Sequence, residues 1–441
     1  MLLHQYMRAT SAELRAWYLY DWANSAFSAT VVTLFLGPYL TSIAKSAAGT
    51  DGFIHPFGLS IEPRAYWSFL VSLSVITQVL VMPLVGSIAD YGHSKKELLG
   101  GLTYTGALAT MAMFFVEGQS YLFGGALFLL ANLTFGCAMV VYNSFLPEIA
   151  GPEDRDAVSS RGWSIGYLGG GLLLALNLAF FTKAPSLGIS EGFAVRASIA
   201  SAGVWWGIFT IPAMRHLRNR GPLRGLNANE NILTVGWRQF RDTLSKVRHY
   251  PQTMRFLAAY LLYNDAIQTV IALAGQFGAD ELKMPMGQLS LAILMVQFVA
   301  FFGAVVFGKL AEKTSAKRAV IVSLLIWTAT LVYMYVSVTT ANQFFILAAF
   351  VGLVMGGSQA LSRSIFSQLI PKGAEAEYFS IYEITDKGTS WLGPLAVGIA
   401  LQLSGQYRLA VLSLIFFFAA GLLLLTRVDV EQGTRDAQLH E

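Results

Sequence analysis

Long apolar stretches separated by short polar segments run along almost the whole chain. Stretches of spanning length lie at 15–44, 65–89, 97–117, 119–147, 160–182, 193–214, 253–279, 286–311, 318–339, 342–370, 379–404 and 407–427. A helix needs about 20 mostly apolar residues to cross a bilayer. The pattern therefore predicts an all-α integral membrane protein with twelve transmembrane helices. The segment before Glu13 has no apolar core, so we do not expect a cleaved signal sequence.

The composition excludes a water-soluble enzyme. Of the 441 residues, 55% are hydrophobic and 13% are charged, whereas a typical soluble domain has about 25% charged residues. The sequence contains no P-loop, no dinucleotide fingerprint and no grouping of His, Cys and Asp of the kind that binds metals. We therefore expect no catalytic residues, no metal site and no cofactor.

The distribution of Lys and Arg predicts the orientation, because short cytoplasmic loops retain these residues. With the N-terminus inside, 22 of the 30 lie in inside segments, five in outside segments and three within spans. Both termini are therefore expected in the cytoplasm. The short polar tails favour a bacterial plasma (inner) membrane.

The longest polar interruption divides the chain into two sets of six spans. It predicts an N-terminal six-helix half at 1–214, a cytoplasmic linker at 215–252 and a C-terminal six-helix half at 253–441. Apolar residues recur in the linker at helical spacing, namely Leu233, Trp237, Phe240, Leu244 and Val247. This spacing predicts an amphipathic helix at the membrane surface. Topology explains the basic content of the linker, so we expect no nucleic-acid partner.

The two halves resemble each other at fixed offsets. Gly86, Asp90 and Lys95 correspond to Gly308, Glu312 and Lys317 at an offset of 222, and Pro147 corresponds to Pro371 at 224; Asp21, Asn24 and Ser25 correspond to Asp265, Gln268 and Thr269 at 244. Two pseudo-symmetric halves of this kind indicate a rocking transporter with its site between the halves near mid-membrane.

One face of the first span carries a polar stripe. Its members are Asp21, Asn24, Ser25 and Ser28. Spacings of three and four residues place them on the same helix face. A carboxylate within a span is costly unless it is paired or hydrated, so Asp21 should face the bundle interior.

Asp265, with Gln268 and Thr269 beside it, repeats this arrangement in the seventh span. A carboxylate in an apolar cavity has a raised pKa and can exchange protons near neutral pH. These stripes are therefore candidates for substrate contact or proton coupling. The alternative is that they only join helices through hydrogen bonds.

Arg363 in the tenth span and Asp386 in the eleventh lie at similar depths from the inner surface. We expect them to pair, with Glu383 and Lys387 pairing along one helix at i, i+4. Such a buried pair is consistent with a substrate clamp, an alternating-access gate or a structural lock.

The segment from Gly86 to Lys96 is the most specific local motif. Gly86 permits close helix approach, Asp90 is expected to cap the third span, and Lys95 and Lys96 are expected to face anionic lipid headgroups. This spacing, its weaker copy near Gly308 and the six-plus-six layout resemble the major facilitator superfamily over essentially the whole chain. The resemblance implies the major facilitator fold and a gating role for this loop.

The first span narrows the resemblance. Residues 18–27, Tyr-Leu-Tyr-Asp-Trp-Ala-Asn-Ser-Ala-Phe, resemble the opening motif of the vacuole-effluxer-like branch of that superfamily. Fungal members of this branch are associated with the release of amino acids from the vacuole, so the resemblance implies amino-acid efflux. The residues by themselves indicate only a small polar solute.

We therefore predict a secondary active transporter that moves a small polar solute by alternating access, with proton coupling as a candidate driving force. The expected partners are the solute and membrane lipids, and the expected state is a monomer. Two alternatives stay open. A sensor or scaffold would bind without flux, and a lipid transporter would have an apolar lateral opening.

Overall fold

The computed structural model describes residues 9–220, 250–387, 392–404 and 406–439. Within these ranges the chain is almost entirely helical, with one isolated antiparallel bridge between Ile54 and Ile61. In chain order the α-helices are α1 Ser11–Ala26, α2 Leu36–Ser46, α3 Tyr66–Tyr91, α4 Lys95–Ala112, α5 Tyr121–Ser144, α6 Leu146–Ile149, α7 Arg155–Lys183, α8 Glu191–His216, α9 Pro251–Asp280, α10 Met286–Lys313, α11 Ala316–Ser337, α12 Ala341–Gln368, α13 Glu375–Lys387, α14 Leu392–Ser404, α15 Tyr407–Leu412, α16 Ile415–Thr426 and α17 Val430–Leu439.

Eleven helical segments of the described chain are long and apolar enough to cross a membrane. They correspond to eleven of the twelve predicted spans. The remaining span, predicted at 379–404, contains residues 388–391, which lie outside the described ranges and are flanked by α13 and α14. The predicted amphipathic linker helix falls on residues 221–249, which also lie outside the described part of the chain.

The first span is a single long helix whose middle is widened. A π-helix at Phe27–Phe35 joins α1 to α2 without a break. Within it the hydroxyl of Thr33 donates to the carbonyl of Ser28, five residues earlier, at 2.9 Å. Long π-helical stretches are rare, and π-bulges are frequent at functional sites. Here the widening overlaps the end of the polar stripe that begins at Asp21, because Ser28 is the second residue of the π-helix.

The buried apolar side chains form three clusters, and each cluster lies almost entirely on one side of the linker that divides the chain. We call residues 9–220 the N-terminal half and residues 250–439 the C-terminal half. Two clusters lie in the N-terminal half and the third in the C-terminal half. Among the buried members of these clusters in the described residues, only Tyr167 and Ala376 pack with the opposite half. Each half therefore has its own core.

In both halves the first helix packs closely against small residues of the fifth. A Cβ added to Gly166 of α7 would lie 2.8 Å from the hydroxyl oxygen of Ser25. A Cβ added to Gly393 of α14 would lie 2.9 Å from Oδ2 of Asp265. The carboxyl-bearing faces of α1 and α9 are thus pressed against glycines, which repeats one packing arrangement in the two halves.

Candidate functional site

The most buried basic side chain in the described chain belongs to α12. Arg363 is 1% exposed, and the helix that carries it is long and apolar enough to span a membrane. Its two terminal nitrogens each lie 3.5 Å from Oδ2 of Asp21 on α1. Further hydrogen bonds go to the side-chain oxygen of Asn143 at 3.2 Å and to the hydroxyl of Ser159 at 2.9 Å. An arginine of the C-terminal half is therefore held by the N-terminal half.

Three aromatic rings complete the surroundings of this guanidinium group. Its central carbon lies 4.9 Å from the ring centre of Trp17, 5.4 Å from that of Trp163 and 5.8 Å from that of Tyr142. Such distances are within cation–π range. The rings exclude water and strengthen the attraction between Arg363 and Asp21.

The expected pairing of Arg363 with Asp386 is wrong. Asp386 instead accepts hydrogen bonds from the hydroxyl of Tyr260 at 2.9 Å and from the amide of Asn264 at 2.7 Å, both on α9. Similar depth in the membrane was the basis of the prediction, but depth does not determine which face of α12 carries the arginine. That face is turned towards the N-terminal half.

Glu383 also contacts the opposite half. Its carboxylate accepts a hydrogen bond from the amide of Asn143 at 2.8 Å. The expected partner of Glu383 was Lys387, whose side chain lies outside the described part of the chain. Asn143 therefore donates to Glu383 and accepts from Arg363, and so contacts two helices of the C-terminal half at once.

The polar stripe of the first span becomes more exposed towards the middle of the bundle. Asp21 and Asn24 are buried, Ser25 is partly buried and Ser28 is exposed. The amide of Asn24 donates to the sulfur of Met139 at 3.4 Å. The stripe thus runs from a sealed region at Asp21 to an accessible one at Ser28.

Asp265 on α9 is buried differently from Asp21. It is 1% exposed, and neither carboxylate oxygen has a hydrogen-bond partner among the described residues. The neighbouring Thr269 donates to the backbone carbonyl of Asp265 at 2.7 Å and not to its side chain. Gln268 is only partly buried. Burial of a carboxylate without a partner is costly, which distinguishes this position from that of Asp21.

The sequence repeat explains why the two carboxylates differ. Arg363 stands eight residues before Pro371, and Met139 stands eight residues before Pro147. The N-terminal half therefore has a thioether where the C-terminal half has a guanidinium group. As a result, no cation of the N-terminal half lies beside Asp265 in the described part of the chain.

The motif from Gly86 to Lys96 also contacts the opposite half. The two oxygens of Asp90 accept the backbone N–H groups of Ala376 at 2.9 Å and Glu377 at 2.8 Å. Asp90 therefore caps the start of α13, and the expectation that it caps the next helix of its own half is wrong. A Cβ on Gly86 would lie 2.7 Å from the carbonyl oxygen of Ala376, so this glycine allows the close approach that the cap requires.

The two lysines of the motif have different surroundings. Lys95 is buried, and its ammonium group lies 2.5 Å from the carboxylate of Glu148 and 4.0 Å from that of Asp90. The expectation that Lys95 faces lipid headgroups is wrong, because three carboxyl groups gather around it. Lys96 is partly exposed and lies 3.9 Å from the carboxylate of Glu97.

Glu375 is the third carboxyl group near Lys95, and it precedes the predicted eleventh span. It accepts a hydrogen bond from the backbone N–H of Gly373 at 2.9 Å. Burial raises the pKa of Glu375 to about 7, against the opposing attraction of Lys95. Asp90 and Glu148 raise that pKa further through repulsion.

Additional hydrogen bonds join α7 to α12 near the same end of the bundle. The hydroxyl of Ser159 donates to the carbonyl of Ala360 at 2.7 Å, that of Ser364 donates to the carboxylate of Asp156 at 2.5 Å, and Arg155 donates to the carbonyl of Ser367 at 2.5 Å. We call this end the inner end, because the Lys and Arg distribution predicts it to be cytoplasmic. The contacts seal the two halves together there.

Sequence reasoning missed five residues that surround Arg363. They are Trp17, Tyr142, Asn143, Ser159 and Trp163. Asn143 offered a signal, since it is an amide within an apolar stretch. The aromatic residues offered none, because aromatic side chains are common in membrane helices.

Two further features lie apart from these residues. A cavity of about 500 Å³ is lined by the outer part of the first span and by Trp67, and it touches none of the candidate site residues. Among the described residues no three His, Cys, Asp or Glu side chains are grouped as metal ligands.

Comparison with solved structures identifies the fold. A bacterial homologue of the iron transporter ferroportin, in an outward-facing state, matches with a TM-score of 0.67 and 15% identity over 95% of this chain and 98% of that chain. The proton:xylose symporter XylE matches with a TM-score of 0.68 and 11% identity over 94% and 95%. At these identities the likeness shows the fold. The fold is that of the major facilitator superfamily of transporters.

Sequence comparison identifies the family. The family model described as "Vacuole effluxer Atg22 like" matches residues 9–438. An uncharacterized MFS-type transporter of Bacillus subtilis, YxiO, is 31% identical over 98% of each chain. Autophagy-related protein 22-1 of Penicillium rubens is 27% identical over 96% of this chain and 91% of its own. The chain belongs to the vacuole effluxer Atg22-like family of multi-pass membrane proteins.

Proposed function

We propose that this protein is a secondary active transporter that exports a small polar solute, with amino acids as the candidate class, by proton-coupled alternating access. The observation that carries the proposal is the burial of Arg363 against Asp21 between the two halves. An ionisable residue inside a membrane bundle is expensive and marks a functional pathway. Here the charge pair lies at the interface that must open and close during transport.

The sealed inner end corresponds to one state of the transport cycle. Separation of the halves there would break the contact of Arg363 with Asp21 and the cap that Asp90 places on α13. Both contacts join residues from opposite halves, so their loss and recovery would accompany each cycle. The name of the family supports export as the direction, since its model is described as that of an effluxer.

We assign proton coupling to Asp265. Asp21 has a cationic neighbour in the sealed state, whereas both oxygens of Asp265 are buried without a partner in the described residues. A buried carboxyl group of this kind is stable when it carries a proton and can lose that proton when its surroundings become hydrated. Alternating exposure of Asp265 would therefore carry one proton per cycle.

The first test measures flux in proteoliposomes with labelled amino acids, with and without a pH gradient. Asp265→Asn should lower gradient-driven accumulation by about tenfold or more, because the amide binds no proton. Exchange of labelled for unlabelled solute should continue, because exchange needs no net proton movement. Asp51→Asn, a matched change in an exposed loop, should behave like the unmodified protein.

Three results would count against the proposal. Gradient-driven accumulation that survives Asp265→Asn would remove Asp265 from coupling. Absence of flux for every amino acid, from protein shown to be folded, would remove this solute class. Specific binding without flux would favour a sensor or scaffold.

We also propose that both termini face the cytoplasm of a bacterial cell. The proposal rests on the Lys and Arg distribution and on the grouping of Lys95, Arg218 and Arg220 at the inner end. Single cysteines placed at exposed positions of the outer loop at 47–65 should react with a membrane-impermeant maleimide in intact cells. A cysteine in the 92–94 turn should react only after the membrane is opened, and the reverse pattern would contradict the orientation.

A further inference from the structure

The N-terminal half builds a complete receptor for one organic cation. We call it the cation cage and define it by Trp17, Asp21, Tyr142, Asn143, Ser159 and Trp163. It offers three ring faces at 4.9–5.8 Å, one carboxylate and three further oxygen acceptors, the third being the backbone carbonyl of Ser159 at 3.0 Å. Every member belongs to α1, α5 or α7.

The occupant of the cage comes from the other half. Arg363 enters from α12, and it supplies the only positive charge recorded within salt-bridge distance of Asp21 in the described residues. When the halves part at the inner end, the cage stays with the N-terminal half and the guanidinium group leaves with α12. The carboxylate of Asp21 then lies among aromatic rings without a counter-charge, which is a costly arrangement. The open state therefore favours a second cation in the same place.

We propose that in the inward-open state the cage binds the positively charged amine or guanidine group of the transported solute. This inference rests on the proposed transport function and narrows its substrate class to cationic solutes and solutes with a primary ammonium group. Aromatic cages with a nearby carboxylate recognise such groups through cation–π contacts and charge-assisted hydrogen bonds. Arg363 occupies the site of the solute's cation and so acts as an internal competitor.

Competition between Arg363 and the solute's cation for the cage favours movement of the solute in one direction. The cage holds either the solute's cation or Arg363, because the two have the same contacts. Closure of the inner end returns Arg363 to the cage and displaces the solute towards the more exposed part of the stripe near Ser28. A solute arriving from the outer side then meets an occupied cage.

Removal of the internal competitor provides the test. Arg363→Met keeps a long flexible side chain but vacates the cage. Binding of labelled guanidinium to purified protein is measured by equilibrium dialysis, with ethylammonium and N-ethylurea as unlabelled competitors. We expect Arg363→Met to bind guanidinium at least about tenfold more tightly than the unmodified protein does. Ethylammonium should compete and the neutral N-ethylurea should not.

Two further variants separate the cage from a general loosening of the interface. Arg155→Met removes another buried arginine that crosses between the halves through Ser367, and it should leave guanidinium binding at the level of the unmodified protein. Addition of Asp21→Asn to Arg363→Met should weaken binding by about tenfold or more, because the cage loses its carboxylate.

Three results would contradict the proposal that the cage binds a cation. It fails if folded Arg363→Met shows no saturable guanidinium binding, if N-ethylurea competes as well as ethylammonium, or if Asp21→Asn changes nothing. Should Arg363→Met not fold, Arg363→Gln serves instead, since it removes the competing positive charge without changing any member of the cage and should tighten guanidinium binding relative to the unmodified protein. Unchanged binding in that variant would equally overturn the inference.

The flux assay distinguishes this inference from the proposed function. Guanidinium binding by Arg363→Met, together with absence of flux in the unmodified protein, would retain the cage and reject transport. Flux of amino acids in the unmodified protein, together with absence of guanidinium binding by Arg363→Met, would retain transport and reject the cage.

Discussion

At the scale of single residues, the two halves bury their equivalent carboxyl groups in different ways. Asp21 lies beside Arg363 and is held in a sealed, aromatic environment. Asp265 is equally buried, but its two carboxylate oxygens have no hydrogen-bond partner in the described residues. One carboxylate therefore suits an electrostatic gate, and the other suits reversible protonation.

The pair of Asp21 and Arg363 should show strong energetic coupling. Asp21→Asn leaves a buried guanidinium group without its counter-charge, so we expect it to lower the free energy of unfolding by about 3 kcal/mol. Arg363→Met alone should cost a similar amount. The double variant should cost much less than the sum of the two, because neither charge is left alone.

This coupling is measured by thermal and denaturant unfolding of the four proteins in one detergent. Additive losses in the double variant would show that the two side chains do not stabilise each other. The close contact of Arg363 with Asn143 and Ser159 would then account for its burial.

Glu375 should make stability depend on pH. Its pKa is raised from 4.5 to about 7 by burial, so the folded state binds more protons than the unfolded state between these values. Stability should therefore fall as pH rises from about 4.5 to 7.

The thermal unfolding midpoint, measured across this range, tests the expectation. Glu375→Gln should reduce the fall, because the amide stays neutral. Glu62→Gln, at an exposed position in the outer loop, should keep the fall unchanged. An identical pH profile for Glu375→Gln and the unmodified protein would contradict this account of Glu375.

At the scale of helices, the inner end is closed by the cap that Asp90 places on α13. Negative charge at a helix N-terminus is favourable, because it faces unsatisfied N–H groups and the positive end of the helix dipole. The contact depends on Gly86, whose backbone lies against the start of α13. A side chain at this position would push the two halves apart.

A methyl group at position 86 should therefore weaken the closed state. Gly86→Ala meets a backbone carbonyl oxygen at 2.7 Å, which cannot move without moving α13. We expect a loss of about 1–3 kcal/mol in the free energy of unfolding. Gly101→Ala on α4 is the matched control, because a Cβ there meets no atom within 4 Å. Equal unfolding midpoints for the two variants would contradict the role of Gly86 in the closed state.

The positions of the helices could be predicted from the sequence, but their lateral contacts could not. Apolar length alone located eleven of the spans, because a bilayer requires about 20 apolar residues in a row. The partners of Asp90 and Arg363 lie 286 and 342 residues away in the chain. No local sequence pattern indicates such contacts. The sequence therefore predicts the wrong helix for the cap by Asp90 and the wrong carboxylate, that of Asp386, as the partner of Arg363.

The π-helix at Phe27–Phe35 was equally unpredictable. Its residues are ordinary membrane-helix residues, and periodicity over nine residues does not separate a π-helix from an α-helix. Asp21 and Asp265 were identified correctly as buried, since a carboxylate in a span must avoid lipid. Their different environments depend on the face that α12 presents, which only the folded structure shows.

At the scale of the whole molecule, two separately packed halves meet at the inner end through polar and charged contacts. Each half retains its own apolar core, so the halves can move as units without unfolding. The polar contacts between them include the cation cage, the cap on α13, the hydrogen bond from Asn143 to Glu383 and the hydrogen bonds between α7 and α12. Alternating access predicts that opening of this interface is obligatory for transport.

The most direct test prevents that opening. Asp156 and Ser364 lie on α7 and α12 with their side-chain oxygens 2.5 Å apart, so Asp156→Cys and Ser364→Cys together form a pair for a short thiol-reactive methanethiosulfonate linker. In proteoliposomes, linking the pair should stop amino-acid flux, and cleavage with a reductant should restore it. Either single variant should be insensitive to the linker, because Cys137 is buried. Undiminished flux through fully linked protein would contradict alternating access at this interface.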